Sequence, residues 1–235
     1  MTGPALTLRA VGKTFGRHRA LIDLSLQFES GEVAAVLGPN GAGKSTLLAI
    51  LSTLVRPTTG ELAFGDQLLS RHSAIRTAIG YVGHEPGIYG DLTARQNLEL
   101  FAALYGVPAD RVEPMLTRVG LADVRRDAMA RTFSRGMQQR LALARALLPE
   151  PQILLFDEPS SALDPAGAAW LAEEIARERA AGRLVVLVTH DLDAAASVAT
   201  HLAILRRGRL VLDERRPEGF LPATVRSLYE ERTRA

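Results

Sequence analysis

The sequence contains no cysteine among its 235 residues, which excludes a disulfide framework and any thiolate nucleophile or metal ligand. No run of about 18 consecutive apolar residues occurs in it, so no membrane-spanning helix is expected. The opening stretch, MTGPALTLRAVGK, lacks the apolar core of a secretory leader, and none is expected there. Neither charge dominates: 28 Lys and Arg against 26 Asp and Glu leave a formal +2, too little to imply a nucleic-acid partner. The five histidines have no spacing that suggests a transition-metal site. Internal repeats and low-complexity segments are absent as well.

What remains is an ordinary globular balance, 47% apolar and 23% charged, in a chain long enough for one large domain or two small ones. It reads as a soluble protein whose membrane role, if it has one, comes through a partner. Arg206, Arg207, Arg209, Arg215 and Arg216 cluster late and read as a solvated hairpin and tail. LTLRAV, the alternating LIDLSLQF and the apolar run VAAVL read as strands within residues 5–37, with further short strands at 61–64 and 78–82. Between 84 and 150 the character is helical. Thr93 and Gln96 have the spacing of a capping box, Gly106 of a stop, a second helix is expected near 109–119, and a third begins by Gly136. Apolar strands return at 153–156 and 184–188. The helix between them is expected to start at Asp164 and Pro165 and to end before Gly182. HLAIL–RRG–RLVLD reads as a β-hairpin. The expected fold class is α/β, a single domain over 1–235 with a core and antiparallel strand layer at about 1–83 and 151–235 and a helical insert at about 84–150.

Two motifs carry chemistry. Gly38-Pro39-Asn40-Gly41-Ala42-Gly43-Lys44-Ser45, followed by Thr46, fits G-x-x-x-x-G-K-[ST] between an expected strand and an expected apolar helix over 47–55, stopped by Pro57 and Gly60. Such a loop turns backbone N–H groups onto phosphate oxygens at a helix N-terminus. Lys44 supplies a point charge for the β- and γ-phosphates, and the Ser45 hydroxyl can ligate magnesium. The second motif is Asp157-Glu158 at the carboxyl end of ILLF, where open parallel sheets bind ligands. Alone, Asp-Glu-Pro is also good turn chemistry. Beside a phosphate loop, Asp157 is expected to hold magnesium and Glu158 to polarise the attacking water.

With those motifs in place, Phe133-Ser134-Arg135-Gly136-Met137-Gln138-Gln139-Arg140 resembles the signature L-S-G-G-Q-x-Q-R of the ATP-binding cassette family, 17 residues (157 minus 140) ahead of the magnesium aspartate. Phe133, Arg135 and Met137 depart from it; Ser134 and Gly136 keep the hydroxyl and the glycine N–H. The likeness covers nearly the whole chain and implies a phosphate-loop NTPase cassette with a RecA-like core, an antiparallel β-subdomain and a helical insert. It implies ATP and Mg2+ bound between two paired cassettes, a homodimer in the simplest case, with Ser134 and Gly136 covering the γ-phosphate held by the other subunit. It also implies separate transmembrane permease subunits and a peripheral place on the cytoplasmic face of the inner membrane. Ser161-Ala162-Leu163-Asp164 resembles the loop that crosses the dimer interface, although Asp164 also reads as a plain helix cap. Thr189-His190-Asp191 resembles the switch motif whose imidazole reaches the γ-phosphate. Phe15 stands where the family stacks an aromatic ring on adenine, or is a core residue before a strand.

The family usually carries glutamine after the strand that leads into the insert, and here that place is taken by His84 in Gly83-His84-Glu85-Pro86-Gly87. His18, His72 and His201 read as surface residues. Cassettes that act on ribosomes come as two in one chain, and those of DNA repair are interrupted by long coiled coils. This chain has neither feature, so the resemblance favours a transporter. A degenerate, non-hydrolysing cassette would not keep Lys44, Ser45, Asp157, Glu158 and His190 together. GHEPGIY with TFSRGMQQRLALARALL looks most like the ATP-binding subunit of the haem exporter type used in cytochrome c maturation, with drug or lipid exporters as the alternative.

Overall fold

Val33–Leu37 offers no polar side chain to solvent, and it forms a strand, β3, buried along its whole length. In the computed structural model, which describes residues 4–65, 67–68, 73–123, 125–161 and 163–234, β3 follows β1 (Pro4–Phe15) and β2 (His18–Glu29). After it come α1 (Lys44–Leu51), β4 (Thr59–Phe64), β5 (Gln67–Leu68) and β6 (Ile79–Val82). Three helices follow, α2 (Ala94–Tyr105), α3 (Val112–Arg118) and α4 (Arg135–Leu147). Next are β7 (Ile153–Asp157), α5 (Pro165–Ala180), β8 (Leu184–Val188) and α6 (Leu192–Val198). The hairpin of β9 (His201–Arg206) and β10 (Arg209–Arg215) leads to α7 (Pro222–Thr233).

The strands make two sheets. One has the order β2-β1-β4-β5 and is antiparallel; the other has the order β10-β9-β3-β8-β7-β6 and is parallel except for β10. Successive side chains of a strand point to opposite faces, so each face of the larger sheet gathers its own core. Ala34, Val36, Leu155 and Val186 pack with α1 and the antiparallel sheet. Ala35, Phe156, Val185 and Ile204 pack with the helices from α2 onward.

Local chemistry sets most of the boundaries. Thr93 Oγ1 accepts from Gln96 N at 3.1 Å while Gln96 Oε1 accepts from Thr93 N at 2.9 Å, and Gly106, in the left-handed region, ends α2. Asp164 accepts from Gly167 N at 2.7 Å with Pro165 in the first turn of α5. Arg207 and Gly208, both at positive φ, make the two-residue turn that suits a right-twisted hairpin.

Three expectations need correction. Helix α1 covers 44–51 rather than 47–55: it grows straight out of the phosphate loop, and it stops where Ser52 Oγ donates to Ala49 O and Thr53 turns left-handed, before Pro57 can act. The helix expected near 109–119 is α-helical only from Val112 to Arg118, its start being a 3-10 turn. His201, read as a surface residue, is fully buried; His72 lies outside the described residues. Helices α6 and α7 had no counterpart in the sequence reading.

His201 is the hub that fastens the two sheets. Its Nδ1 lies 3.1 Å from Glu32 Oε1 and its Nε2 lies 2.6 Å from Asp213 Oδ1. Arg215 binds the other oxygen of Glu32 at 3.3 Å and also donates to Gln27 O on β2, so this arginine is exposed, as expected, yet tied to both sheets. Burial alone would lower the His201 pKa, but the hydrogen bonds to Asp213 and Glu32 outweigh it and raise it above the ordinary value. A raised folded-state pKa stabilises the fold fully below the unfolded value, about 6.5 for histidine, and the gain fades as pH rises through the folded value. Asp213, lowered by the His201 hydrogen bond, acts in the opposite sense: its contribution is present above the ordinary aspartate value and lost as pH falls through the depressed one. Thermal melts of wild type and His201→Gln are therefore expected to differ most below about pH 6.5 and to converge as pH rises. A gap that widens with pH contradicts this arrangement.

Candidate functional site

The carboxyl ends of β3, β8, β7 and β6 lie side by side, and the segments that leave them meet. From β3 the chain enters the glycine loop. A Cβ on Gly38, at φ 150, would lie 2.3 Å from Leu205 O, and one on Gly43, at φ 104, would lie 2.6 Å from Ala20 O; only glycine lets the loop pass so close to β9 and β2. Gly208 braces it, donating to Ala42 O at 3.0 Å while accepting from Ile22 N at 2.7 Å. Helix α1 opens at Lys44 with no side-chain cap on its first N–H groups, which leaves them free for an anion.

Lys44 Nζ donates to Gly38 O at 2.6 Å and Pro39 O at 3.2 Å. Burial lowers its pKa, against the pull of Glu158 and Asp157. Asn40, Gly41, Ala42, Gly43, Lys44, Ser45 and Thr46 line a cleft of about 260 Å³ with Asp157 and Glu158, and His18 and Ala20 border it. His18, expected at the surface, is exposed and at the same time borders the cleft. The available signal was the short Phe15-Gly16-Arg17-His18 turn, which pairs residue 15 with residue 18.

Asp157 ends β7 half-buried, and its pKa is raised by burial first and by Glu158 second, while His84 and Lys44 oppose the rise. Glu158 holds a positive φ of 51, a conformation that costs about 1–2 kcal/mol outside glycine. Its N–H donates to Val188 O at 2.8 Å, and its carbonyl accepts from the Ser161 hydroxyl at 3.0 Å. Its Oε1 lies 2.9 Å from His190 Nδ1; its Oε2 accepts from Thr189 Oγ1 at 3.1 Å and from His190 N at 3.4 Å. Asp191 caps α6 through Asp193 N and Ala194 N, both at 3.0 Å. The glycine loop, the carboxylate pair and His190 are thus one constellation. His84 is exposed on the segment after β6, close enough to Asp157 to act on its charge.

Ser134 and Gly136 stand apart from the cleft. Ser134 caps α4, accepting from Met137 N at 3.3 Å, and the Cβ position of Gly136 lies 3.6 Å from Leu163 Cδ2, beside the 160–164 segment, of which Ala162 lies outside the described residues. Phe15 is half exposed at the β1–β2 turn, with Lys13 Nζ 4.9 Å from its ring centroid. This set suits MgATP. The cleft offers backbone N–H groups and Lys44 for phosphates, and Ser45 and Asp157 oxygens for a hard cation. Among the described residues no group of His, Cys, Asp or Glu forms a metal cluster of its own, and no helix is long and apolar enough to cross a membrane.

A family model described as ABC transporter matches residues 21–161. The daunorubicin resistance ATP-binding protein DrrA3 of Streptomyces coeruleorubidus is 37% identical over 218 residues, 91% of this chain and 69% of that protein. The lantibiotic transport ATP-binding protein SrtF of Streptococcus pyogenes is 32% identical over 209 residues, 89% of this chain and 90% of that protein. Among solved structures, the dimeric post-hydrolysis state of the ATP-binding cassette MJ0796, bound to ADP and Pi, superposes with a TM-score of 0.81 at 29% identity, covering 89% of this chain and 98% of that one.

Proposed function

The chain belongs to the ABC transporter family, whose ATP-binding cassettes hydrolyse ATP to drive transport, and on that premise we propose that it works as a homodimer closing over two MgATP and drives separate permease subunits. The observation that carries this reading is the meeting of Lys44, Asp157, Glu158 and His190 in and around one cleft.

Within that cleft the residues divide the labour. Lys44 exchanges the carbonyls of Gly38 and Pro39 for the β- and γ-phosphates, with the N–H groups of Gly41, Gly43, Ser45 and Thr46 around them. Ser45 and Asp157 would hold Mg2+, which supplies charge neutralisation for the phosphate oxygens. A carboxylate has about four lone-pair sites. In Glu158 three are engaged by Thr189 and His190, so one is left to orient a water. As the water oxygen bonds to the γ-phosphorus and the bond to the ADP oxygen breaks, the water proton passes to Glu158. His190 fixes the carboxylate through Nδ1, and in its protonated form its Nε2 can also donate to a γ-phosphate oxygen. Phe15 offers its ring to adenine.

Ser134 and Gly136 lie outside their own cleft, which supports their serving the nucleotide of a second copy. Residues 1–83 with 151–235 then form the nucleotide-binding body of one domain. The insert at 84–150, with His84 at its start, faces the permease on the cytoplasmic side of the inner membrane. The cargo reading follows the relatives: drug resistance and lantibiotic transport support an exporter of bulky organic molecules. Gly83-His84-Glu85-Pro86-Gly87, with histidine in the glutamine place, favours a second reading, haem export for cytochrome c maturation. Removing the chain from its native cell separates the two: loss of c-type cytochromes supports haem, and drug sensitivity with cytochromes intact supports the first.

Two outcomes are expected. The chain sediments as a monomer without nucleotide, and Glu158→Gln becomes a dimer on adding ATP because the hydrolysis that reopens the pair has stopped. Only monomer, from folded protein at saturating ATP, argues against the sandwich. His84→Ala keeps ATP affinity within about twofold yet lowers the stimulation of ATPase by the membrane partner, while His84→Gln retains it. Equal stimulation of wild type and His84→Ala leaves His84 a loop residue only.

A further inference from the structure

Arg145 sits inside α4, half-buried, and no carboxylate pairs with it among the described residues; its charge is solvated instead by backbone and by an aromatic ring. Nη2 donates to Tyr81 O at 2.9 Å, and Nη1 donates to Gly87 O. The guanidinium lies 5.3 Å from the Phe101 ring centroid, and Phe101 is itself flanked by Tyr89 and Tyr105 at 6.0 and 5.9 Å. A guanidinium taken out of water without a counter-ion is expensive, and burial lowers the pKa of this one. An apolar side chain would fill the same space at less cost, so the charge has other work.

That work is visible in what the two donors hold. Tyr81 and Gly87 bracket the segment that carries His84. Gly87 is at φ +60, and a Cβ on it would lie 2.5 Å from Arg145 Nη1, so glycine and arginine are fitted to each other. Just beyond, the fully buried Asn97 accepts from Tyr89 N at 2.8 Å and donates to Tyr89 O at 2.9 Å. The segment is therefore fixed on both sides while His84 stays exposed between the anchors.

We propose that Arg145 is a positioning residue: its fork spans the carbonyls of Tyr81 and Gly87 and so sets His84 beside Asp157. Because Arg145 rides on α4, whose cap and first turn are Ser134 and Gly136, it also ties the His84 segment to the helix that meets the second copy. For its consequence in turnover the inference rests on the ATPase reading above. A lysine keeps the charge but offers one nitrogen where the arginine uses two, so it cannot hold both carbonyls in the same geometry.

The test uses the full chain. In wild type, Mg2+ with a non-hydrolysable ATP analogue is expected to shift the imidazole resonances of both His84 and His190, each assigned by its own substitution. Arg145→Lys is expected to cut the His84 shift to less than about half and to lower partner-stimulated ATPase as His84→Ala does, with KM for ATP within about twofold and the His190 shift retained. Without nucleotide, amide exchange over residues 83–88 should rise at least about tenfold while β7 stays protected. Gly87→Ala leaves α4 untouched and displaces the guanidinium, so it should give the same His84 and exchange results even if Arg145→Lys folds poorly. Wild-type His84 shifts and wild-type loop exchange in both variants overturn the proposal, as does a lowered melting temperature with the His84 segment unchanged. If wild type itself neither binds nor turns over nucleotide, the ATPase reading fails, and the exchange measurement alone still decides the positioning role.

Discussion

The hydrogen-bonded register of four parallel strands governs the chemistry of this molecule. Val36 pairs with Val188, Val188 with Asp157, and Phe156 with Val82, so β3, β8, β7 and β6 end level with one another. Neighbouring strands lie about 4.8 Å apart, which sets the glycine loop, Thr189-His190, Asp157-Glu158 and the His84 segment within reach of one small ligand. A slip of one residue would turn each strand's inward side chains to the other face. It would bring the two cores into conflict before it disturbed the site. Packing and catalysis are thus secured by the same register.

Around that register the charges are arranged to receive an anion and a cation together. Burial and the neighbouring Glu158 raise the cost of ionising Asp157, Lys44 opposes that rise, and Lys44 in turn is held by carbonyls it can leave. The glycine loop keeps its shape because three pieces of the other strands press on it: Leu205 O against Gly38, Ala20 O against Gly43, and Gly208 beneath Ala42. His201 and Glu32 fasten the sheet that supplies Ala20 to the sheet that supplies Leu205, so a buried cluster remote from the cleft supports its rim.

Much of this was legible in the sequence wherever a signal is local. An apolar strand followed directly by glycines and lysine, or by two acids, declares its carboxyl end, and Thr93-Gln96 and Asp164-Pro165 declare helix starts. Signals that depend on distant partners were not legible. His201 finds Glu32 169 residues away, and nothing near either of them announces the meeting. His18 enters the cleft only because its turn folds back over the glycine loop. Helix α6 is a seven-residue, alanine-rich turn made by the Asp191 cap, and α7 is held by Val225 with Leu228 and Tyr229 against a core assembled by other elements. Arg145 reads as one arginine among many until Tyr81, Gly87 and Phe101 are set around it. The cargo was least legible of all, because on the proposed reading the groups that would touch it belong to a separate permease.

In the proposed dimer each site is shared between two copies, and mixing two inactive variants tests that most directly. Lys44→Ala spoils one half of a site. Gly136→Asp spoils the other: a Cβ fits there, its nearest neighbour at 3.6 Å, and an acid suits the first turn of α4 while repelling phosphate. A mixed dimer holds one doubly spoiled site and one intact site. With random pairing half the dimers are mixed, so two preparations that are each inactive should together recover up to about a quarter of wild-type ATPase activity. A mixture of folded variants no more active than either alone contradicts the shared site.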